Sequence, residues 1–194
     1  MNKYIAEFVG TFTLALAVGL SIVGKFPVPT PVIAGLTLGV AVYTFGAISG
    51  THLNPAITLG LLSVGRISVK DAVIYVAVQI AGGATAMMAA GALASVPAAG
   101  SGDSAVIFAC EALGTFILAI GVASVVYGKA PAPAAGLTIG GSLLVGIALA
   151  AAGSNGVLNP AVAVTIGSVS LSYLLAPIVG AVVAMLLYRL IARS

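Results

Sequence analysis

Apolar residues run along this chain in six long stretches, roughly 4–24, 31–50, 69–92, 104–127, 134–153 and 170–191. A helix crossing a hydrocarbon core of about 30 Å needs about 20 such residues. The pattern therefore predicts six spanning helices. Most of the breaks between them are short and hold turn residues: 25–29, with Pro27 and Pro29, then 97–103 and 128–133. Two connections differ. Residues 51–68 and 154–169 are apolar and too short to span, and each contains Asn-Pro-Ala.

Asn followed by Pro is a helix-start signal, because Asn caps well and Pro is pre-set for the first helical position. The runs 55–63 and 160–168 predict two half-helices, each about ten residues and roughly 15 Å long, half the depth of the core. The side-chain oxygen of Asn54 or Asn159 can cap its own half-helix. That leaves the amide NH2 as a donor facing inward. The helix N-termini add positive potential at the same place. A water held there accepts through its oxygen and turns its hydrogens away, which makes it a poor proton relay. The preceding segments, Gly50-Thr51-His52 and Asn155-Gly156-Val157, are expected to be non-helical. Irregular backbone at that depth persists where it is buried or lines a cavity, so their carbonyls are expected as acceptors along a path.

Composition sharpens this picture. Of the 194 residues, 61% are hydrophobic and 6% charged, too few charges for a solvated surface. The net charge of +3 is no nucleic-acid signal, because the cations sit at the ends of apolar runs. With six spans, Lys3, Arg66, Lys70, Lys129, Arg189 and Arg193 fall on one side and Lys25 on the other. The positive-inside rule then places both termini in the cytoplasm. The first apolar run has no small-residue cleavage site after a short core, so it reads as a retained helix. Cys110, the single cysteine, reads as an inert packing residue. No metal cluster, phosphate loop or catalytic triad is present, so neither an enzyme nor a cofactor is expected.

The chain also repeats itself. Glu7, Gly10, Thr11 and Phe12 match Glu111, Gly114, Thr115 and Phe116. The run Ala34-Gly35-Leu36-Thr37 matches Ala135-Gly136-Leu137-Thr138, and Leu53-Asn54-Pro55-Ala56 matches Leu158-Asn159-Pro160-Ala161. Each half holds three spans, an odd number, so the halves enter the bilayer from opposite sides. The reading is one channel domain of two inverted repeats, 1–97 with half-helix 55–64 and 98–194 with half-helix 160–168. Inverted repeats with paired interrupted segments point to a substrate path at their interface.

These motifs resemble those of the major intrinsic protein family, the aquaporins and glycerol facilitators. The resemblance rests on Ser49 through Gly60, the Glu-x-x-Gly-Thr-Phe pattern of spans one and four, Gln79, Pro177 to Gly180, and Tyr188-Arg189. It implies an all-α membrane fold of six transmembrane helices and two re-entrant half-helices. It also implies a passive channel for water and small neutral solutes, assembled as a homotetramer. One position departs from the family: Val162 stands where an arginine usually follows the second Asn-Pro-Ala. Counted from the motifs, the outer filter is Ala34, Ile147, Gly156 and Val162. That set is small and apolar, so a wide mouth for glycerol- or urea-sized solutes is expected, or a hydrophobic constriction that dewets.

Several residues carry two readings. Glu7 and Glu111 are intramembrane carboxylates, either proton carriers of a coupled transporter or braces for the non-helical loops; the resemblance favours braces. His52 is either a pH gate or a fixed lumen-lining or loop-packing residue, and Gln79 a loop or interhelical hydrogen-bonder. The pairs Gly35/Gly39, Gly46/Gly50 and Gly136/Gly140 have the spacing of close helix crossings. Arg66 and Lys70 read as interfacial anchors and Ser63 as a loop serine. A third reading is a closed structural protein with a lumen blocked around Ile147 and Val162. Short loops and the lack of tails point to a prokaryotic plasma membrane.

Overall fold

A computed structural model describes residues 1–23, 26–96 and 98–192. The expectations for Lys25, Pro97 and Arg193 lie outside the described residues. All regular structure among the described residues is helical: α1 (Asn2–Ser21), α2 (Thr30–Ser49), α3 (Pro55–Ser63), α4 (Val69–Leu93), α5 (Ala105–Val126), a 3₁₀ turn (Ala132–Ala134), α6 (Ala135–Ala150), α7 (Pro160–Ile166) and α8 (Leu171–Ile191). Six of these helices are long and apolar enough to cross a membrane, the fifth span being counted with the 3₁₀ turn that opens α6.

The ends of the helices follow local chemistry. Ser68 and Ser104 cap α4 and α5 by accepting from the backbone N–H of Asp71 and Ile107, each at 3.1 Å. The spans end within a few residues of the apolar runs, α6 stopping at Ala150 rather than 153. The first half-helix ends at Ser63, with Val64 its cap. The second stops at Ile166, two residues short of the expected end, because Gly167 adopts a left-handed conformation (φ 72°) that terminates the helix.

The two halves repeat one another's packing. α1 lies on α4 as α5 lies on α8, α1 lies on α2 as α5 lies on α6, and α2 crosses α6. α3 nests against α8, α7 against α4, and α3 and α7 touch each other. At the α2–α6 crossing, a methyl group on Gly39 would sit 2.9 Å from the Gly136 carbonyl, and one on Gly35 would sit 2.7 Å from that of Gly140. Only hydrogen fits at such an approach, which is the small-residue packing of membrane helices. The Gly46/Gly50 pair is different. Gly50 is left-handed (φ 84°) and its N–H closes α2 on the Gly46 carbonyl at 3.0 Å, so this pair ends a helix instead of crossing one.

The core is sealed by apolar and small residues such as Leu14, Leu53, Leu118, Leu158 and Met185. Leu36, Val40, Met88, Leu113, Leu137 and Leu171 are exposed around the outside, as a lipid-facing girdle requires.

Candidate functional site

The half-helices begin at the two asparagines, and there the halves are stitched together. Asn54 accepts from the Ala56 N–H at 2.8 Å, and Asn159 accepts from the Ala161 N–H at 3.0 Å, each through Oδ1. Each Nδ2 donates across to the opposite loop, Asn54 to the Leu158 carbonyl and Asn159 to the Leu53 carbonyl, both at 2.9 Å. An amide NH2 carries two donors. One of each pair is thus a staple between the halves, and the second is left without a hydrogen bond to a described residue. The whole NH2 was expected to face inward; half of it does structural work instead.

The loops leading to the asparagines are held by the two buried carboxylates. Glu7 accepts from the Ser49 hydroxyl (2.7 Å), the His52 and Leu53 N–H groups (2.9 and 2.8 Å) and the Gln79 amide (2.8 Å). Glu111 accepts from the Ser154 hydroxyl (2.7 Å) and the Val157 and Leu158 N–H groups (2.9 and 2.7 Å). A carboxylate offers about four lone-pair positions. Those of Glu7 are all used by fixed donors, which leaves no place for a travelling proton. Pro177 stands where Gln79 stands in the first half, counted from the Tyr75/Tyr173 and Gly82/Gly180 pairs, so Glu111 has one donor fewer.

The His52 and Val157 N–H groups go to the carboxylates, those of Thr51 and Gly156 to the Ser49 and Ser154 hydroxyls, that of Asn155 to the Tyr173 hydroxyl and that of Gly50 to the Gly46 carbonyl, while the carbonyls of these residues are left free. Gly50, Thr51, His52, Asn155, Gly156 and Val157 accept no backbone hydrogen bond from a described residue. Thr51, Leu53 and Leu158 hold positive φ (52°, 48° and 55°), a conformation that costs a side chain strain unless its surroundings impose it. At Thr51, the Ser49 hydroxyl accepts its N–H at 3.1 Å.

Three hollows lie in series along the axis. A vestibule of about 930 Å³ opens on the face of Lys3, Arg66 and Asp71, and Gly50, Thr51 and His52 line it. A central hollow of about 10 Å³ follows, bounded by Thr51, His52, Asn54 and Asn159. An outer hollow of about 210 Å³ is lined by Ala34, Ile147, Gly156 and Val162 together with Asn155, Val157 and Asn159. Each hollow shares lining residues with the next, His52 and Ile139 on one side and Leu14, Leu143 and Asn159 on the other. Ile147 and Val162 border open space, so the blocked lumen of the structural-protein reading is not found there. Pro55, Ala56, Pro160 and Ala161 are buried beneath the asparagines.

Several participants carry no signal strong enough to single them out by sequence. Ser49 and Ser154 each stand five places before an asparagine, a repeat visible once the halves are aligned. Tyr75 donates to the Ser49 carbonyl at 2.8 Å, and the Tyr173 hydroxyl accepts the Asn155 N–H at 3.0 Å. Asn155 also ties the 94–104 connection down by donating to the Ala99 carbonyl at 2.9 Å. At the vestibule rim Lys3 pairs with Asp71 at 2.9 Å, and Arg66 stacks over Tyr127 at 4.5 Å. Ser63 donates to the Gly60 carbonyl, and Cys110 is half-buried. Among the described residues no group of three His, Cys, Asp or Glu stands together as a metal site.

The sequence profile of the major intrinsic proteins matches residues 1–188. The chain belongs to the major intrinsic protein family. A glycerol uptake facilitator-like protein of Lactiplantibacillus plantarum is 38% identical, over 95% of each chain. Aquaporin Z of Rhodopseudomonas palustris is 31% identical, over 98% of this chain and 93% of its own. The fold matches the crystal structure of the aquaglyceroporin from Plasmodium falciparum with a TM-score of 0.78 at 20% identity, covering 96% of this chain and 94% of that one. As a major intrinsic protein the chain is an integral membrane channel that passes water and small solutes passively, and it is not an enzyme. The coupled-transporter and structural readings have no support.

Proposed function

We propose that this channel carries water and small neutral solutes of glycerol or urea size, with Asn54 and Asn159 as its central donors. The observation that carries the reading is the series of three hollows meeting at those two amides. A solute oxygen accepts from the amides, while its own hydrogens meet the free carbonyls of 50–52 and 155–157. Cations are opposed by the N-terminal ends of α3 and α7. Ala34, Ile147, Gly156 and Val162 form the outer filter, and their lack of charge and bulk favours solutes larger than water. The glycerol-facilitator name of one relative supports glycerol as a cargo.

Residues 1–97 and 98–194 act as the two inverted repeats. The face with Lys3, Arg66, Lys70, Lys129 and Arg189 is cytoplasmic, so both termini lie inside, in a prokaryotic plasma membrane. The family resemblance supports a homotetramer, which cross-linking in native membranes checks. The function is tested by stopped-flow light scattering on proteoliposomes. Water and glycerol flux well above that of empty vesicles is expected. Failure of water, glycerol, urea and ammonia alike to move would overturn the proposal.

A further inference from the structure

We propose that the side chain of Asn155 positions the outer filter: it latches the connection between the two halves to the pore mouth, and so holds the Asn155 and Gly156 carbonyls at the spacing a polyol needs. This rests on reading the chain as a neutral-solute channel. The Asn155 Nδ2 lies 2.9 Å from the Ala99 carbonyl, 3.1 Å from that of Gly100 and 2.9 Å from the Ser168 hydroxyl. Two of these neighbours are carbonyls and can only accept, so the nitrogen of the amide faces them, not the oxygen. Its two hydrogens serve three oxygens, one hydrogen being shared. The connection is gripped from its other side as well, where the Ala99 N–H donates to the Ile166 carbonyl at 2.9 Å. Both polar backbone groups of Ala99 are thus held by residues that line the outer hollow.

The first repeat has no such latch. Ser49 matches Ser154 and Leu53 matches Leu158, but the place of Asn155 is taken by Gly50, which has no side chain. Gly50 closes α2 on the Gly46 carbonyl and ties down no other connection. The mouth on its side opens as the vestibule of about 930 Å³, whereas the mouth beside Asn155 encloses about 210 Å³.

Fixing the side chain fixes the backbone it leaves from. The Asn155 N–H is taken by the buried Tyr173 hydroxyl and the Gly156 N–H by the Ser154 hydroxyl, each at 3.0 Å. Gly156 holds a positive φ (62°), and a methyl group on it would stand 3.0 Å from the Ile147 carbonyl, so the strand of backbone lies tight against α6. With both N–H groups held, the Asn155 side chain is what keeps the two peptide units from turning. Their carbonyls accept from no described residue, and both residues line the outer hollow. A water there can use either carbonyl alone. A solute with hydroxyls on neighbouring carbons needs both at a set spacing, so its passage depends on the latch more than that of water does.

The test reads the glycerol-to-water permeability ratio by stopped flow on proteoliposomes, together with amide hydrogen exchange of residues 98–103. Asn155→Leu keeps the branched shape and removes both donors, and Asn155→Gly copies the first repeat. In both the ratio should fall about three- to tenfold, the range of one neutral hydrogen bond, and exchange at 98–103 should quicken. A merely structural loss would lower the two fluxes together and leave their ratio in place. Ser168→Ala removes one of three acceptors and leaves two for the two hydrogens, so both readouts should stay at the parent's values. The proposal is overturned if the Asn155 variants keep the parent's ratio, or if exchange at 98–103 does not change in them. It is also overturned if Ser168→Ala lowers the ratio as far as they do. A parent protein that moves neither water nor glycerol would instead sink the channel reading itself.

Discussion

Glu7 meets four fixed donors and Glu111 three, and that difference has consequences at the level of single side chains. Replacing either carboxylate by an amide turns a donor towards donors. Glu111→Gln strands the Leu158 N–H, whereas Glu7→Gln strands the Leu53 N–H and also turns Gln79 away. A stranded buried donor costs about 1–3 kcal/mol. Both variants should lower the thermal midpoint in detergent, Glu7→Gln by the larger amount. Equal midpoints would show that Gln79 contributes nothing to the brace. The asparagines were legible in the sequence because Asn-Pro has one strong local meaning. Ser49, Ser154 and Tyr75 were not, because a serine or tyrosine in an apolar helix has many uses and its partner is remote in the chain. The division of each Asn Nδ2 into one stapling and one unpaired N–H was also hidden, since it depends on where Leu53 and Leu158 come to rest.

At the scale of elements, helix count and order followed from segment lengths, and bounds were altered by backbone conformation. Gly167 ends α7 early, and Gly50 ends α2 where a crossing was expected, because a sequence does not say which glycine takes a positive φ. The α2–α6 crossing was legible from glycine spacing. Gly140→Val would drive a side chain into the Gly35 carbonyl and should destabilise the protein by about 1–3 kcal/mol, measured as loss of folded protein on mild heating. A variant as stable as the parent would contradict that packing.

The connection 94–104 is fastened by Asp103, which accepts the Ser172 N–H at 2.8 Å and so caps α8 in place of Ser170. That backbone bond, with help from the Ser172 and Ser170 hydroxyls, holds the Asp103 carboxyl below its ordinary value. Stability from this cap is therefore present at neutral pH and is lost as pH falls below the carboxylate range of about 4. Asp103→Ala should lower the thermal midpoint at pH 7, and the gap to the parent should close in acid. A gap independent of pH would rule the cap out.

For the whole molecule, the hollows at both ends are large and the one at the join is small, with uncharged walls along the central and outer hollows. Placing a cation at the outer mouth adds a second, outer constriction. Val162→Arg should lower the glycerol-to-water permeability ratio several-fold without abolishing water flux, and an unchanged ratio would remove Val162 from the outer filter. That the chain forms a channel was legible from the repeated motif. The shape of the channel was not. Its spanning helices are apolar on nearly every side, so periodicity does not separate the lining residues Leu14, Leu118, Ile139 and Leu143 from those that face lipid.

The central claim is that two opposed half-helices bring one free amide hydrogen from each of Asn54 and Asn159 to the same point of a continuous lumen. A crystal structure fine enough to resolve ordered water tests it directly. It should show a water oxygen within about 2.7–3.2 Å of both Nδ2 atoms, in file with others through the three hollows. A lumen closed at that level, or amides without a shared water, would contradict it.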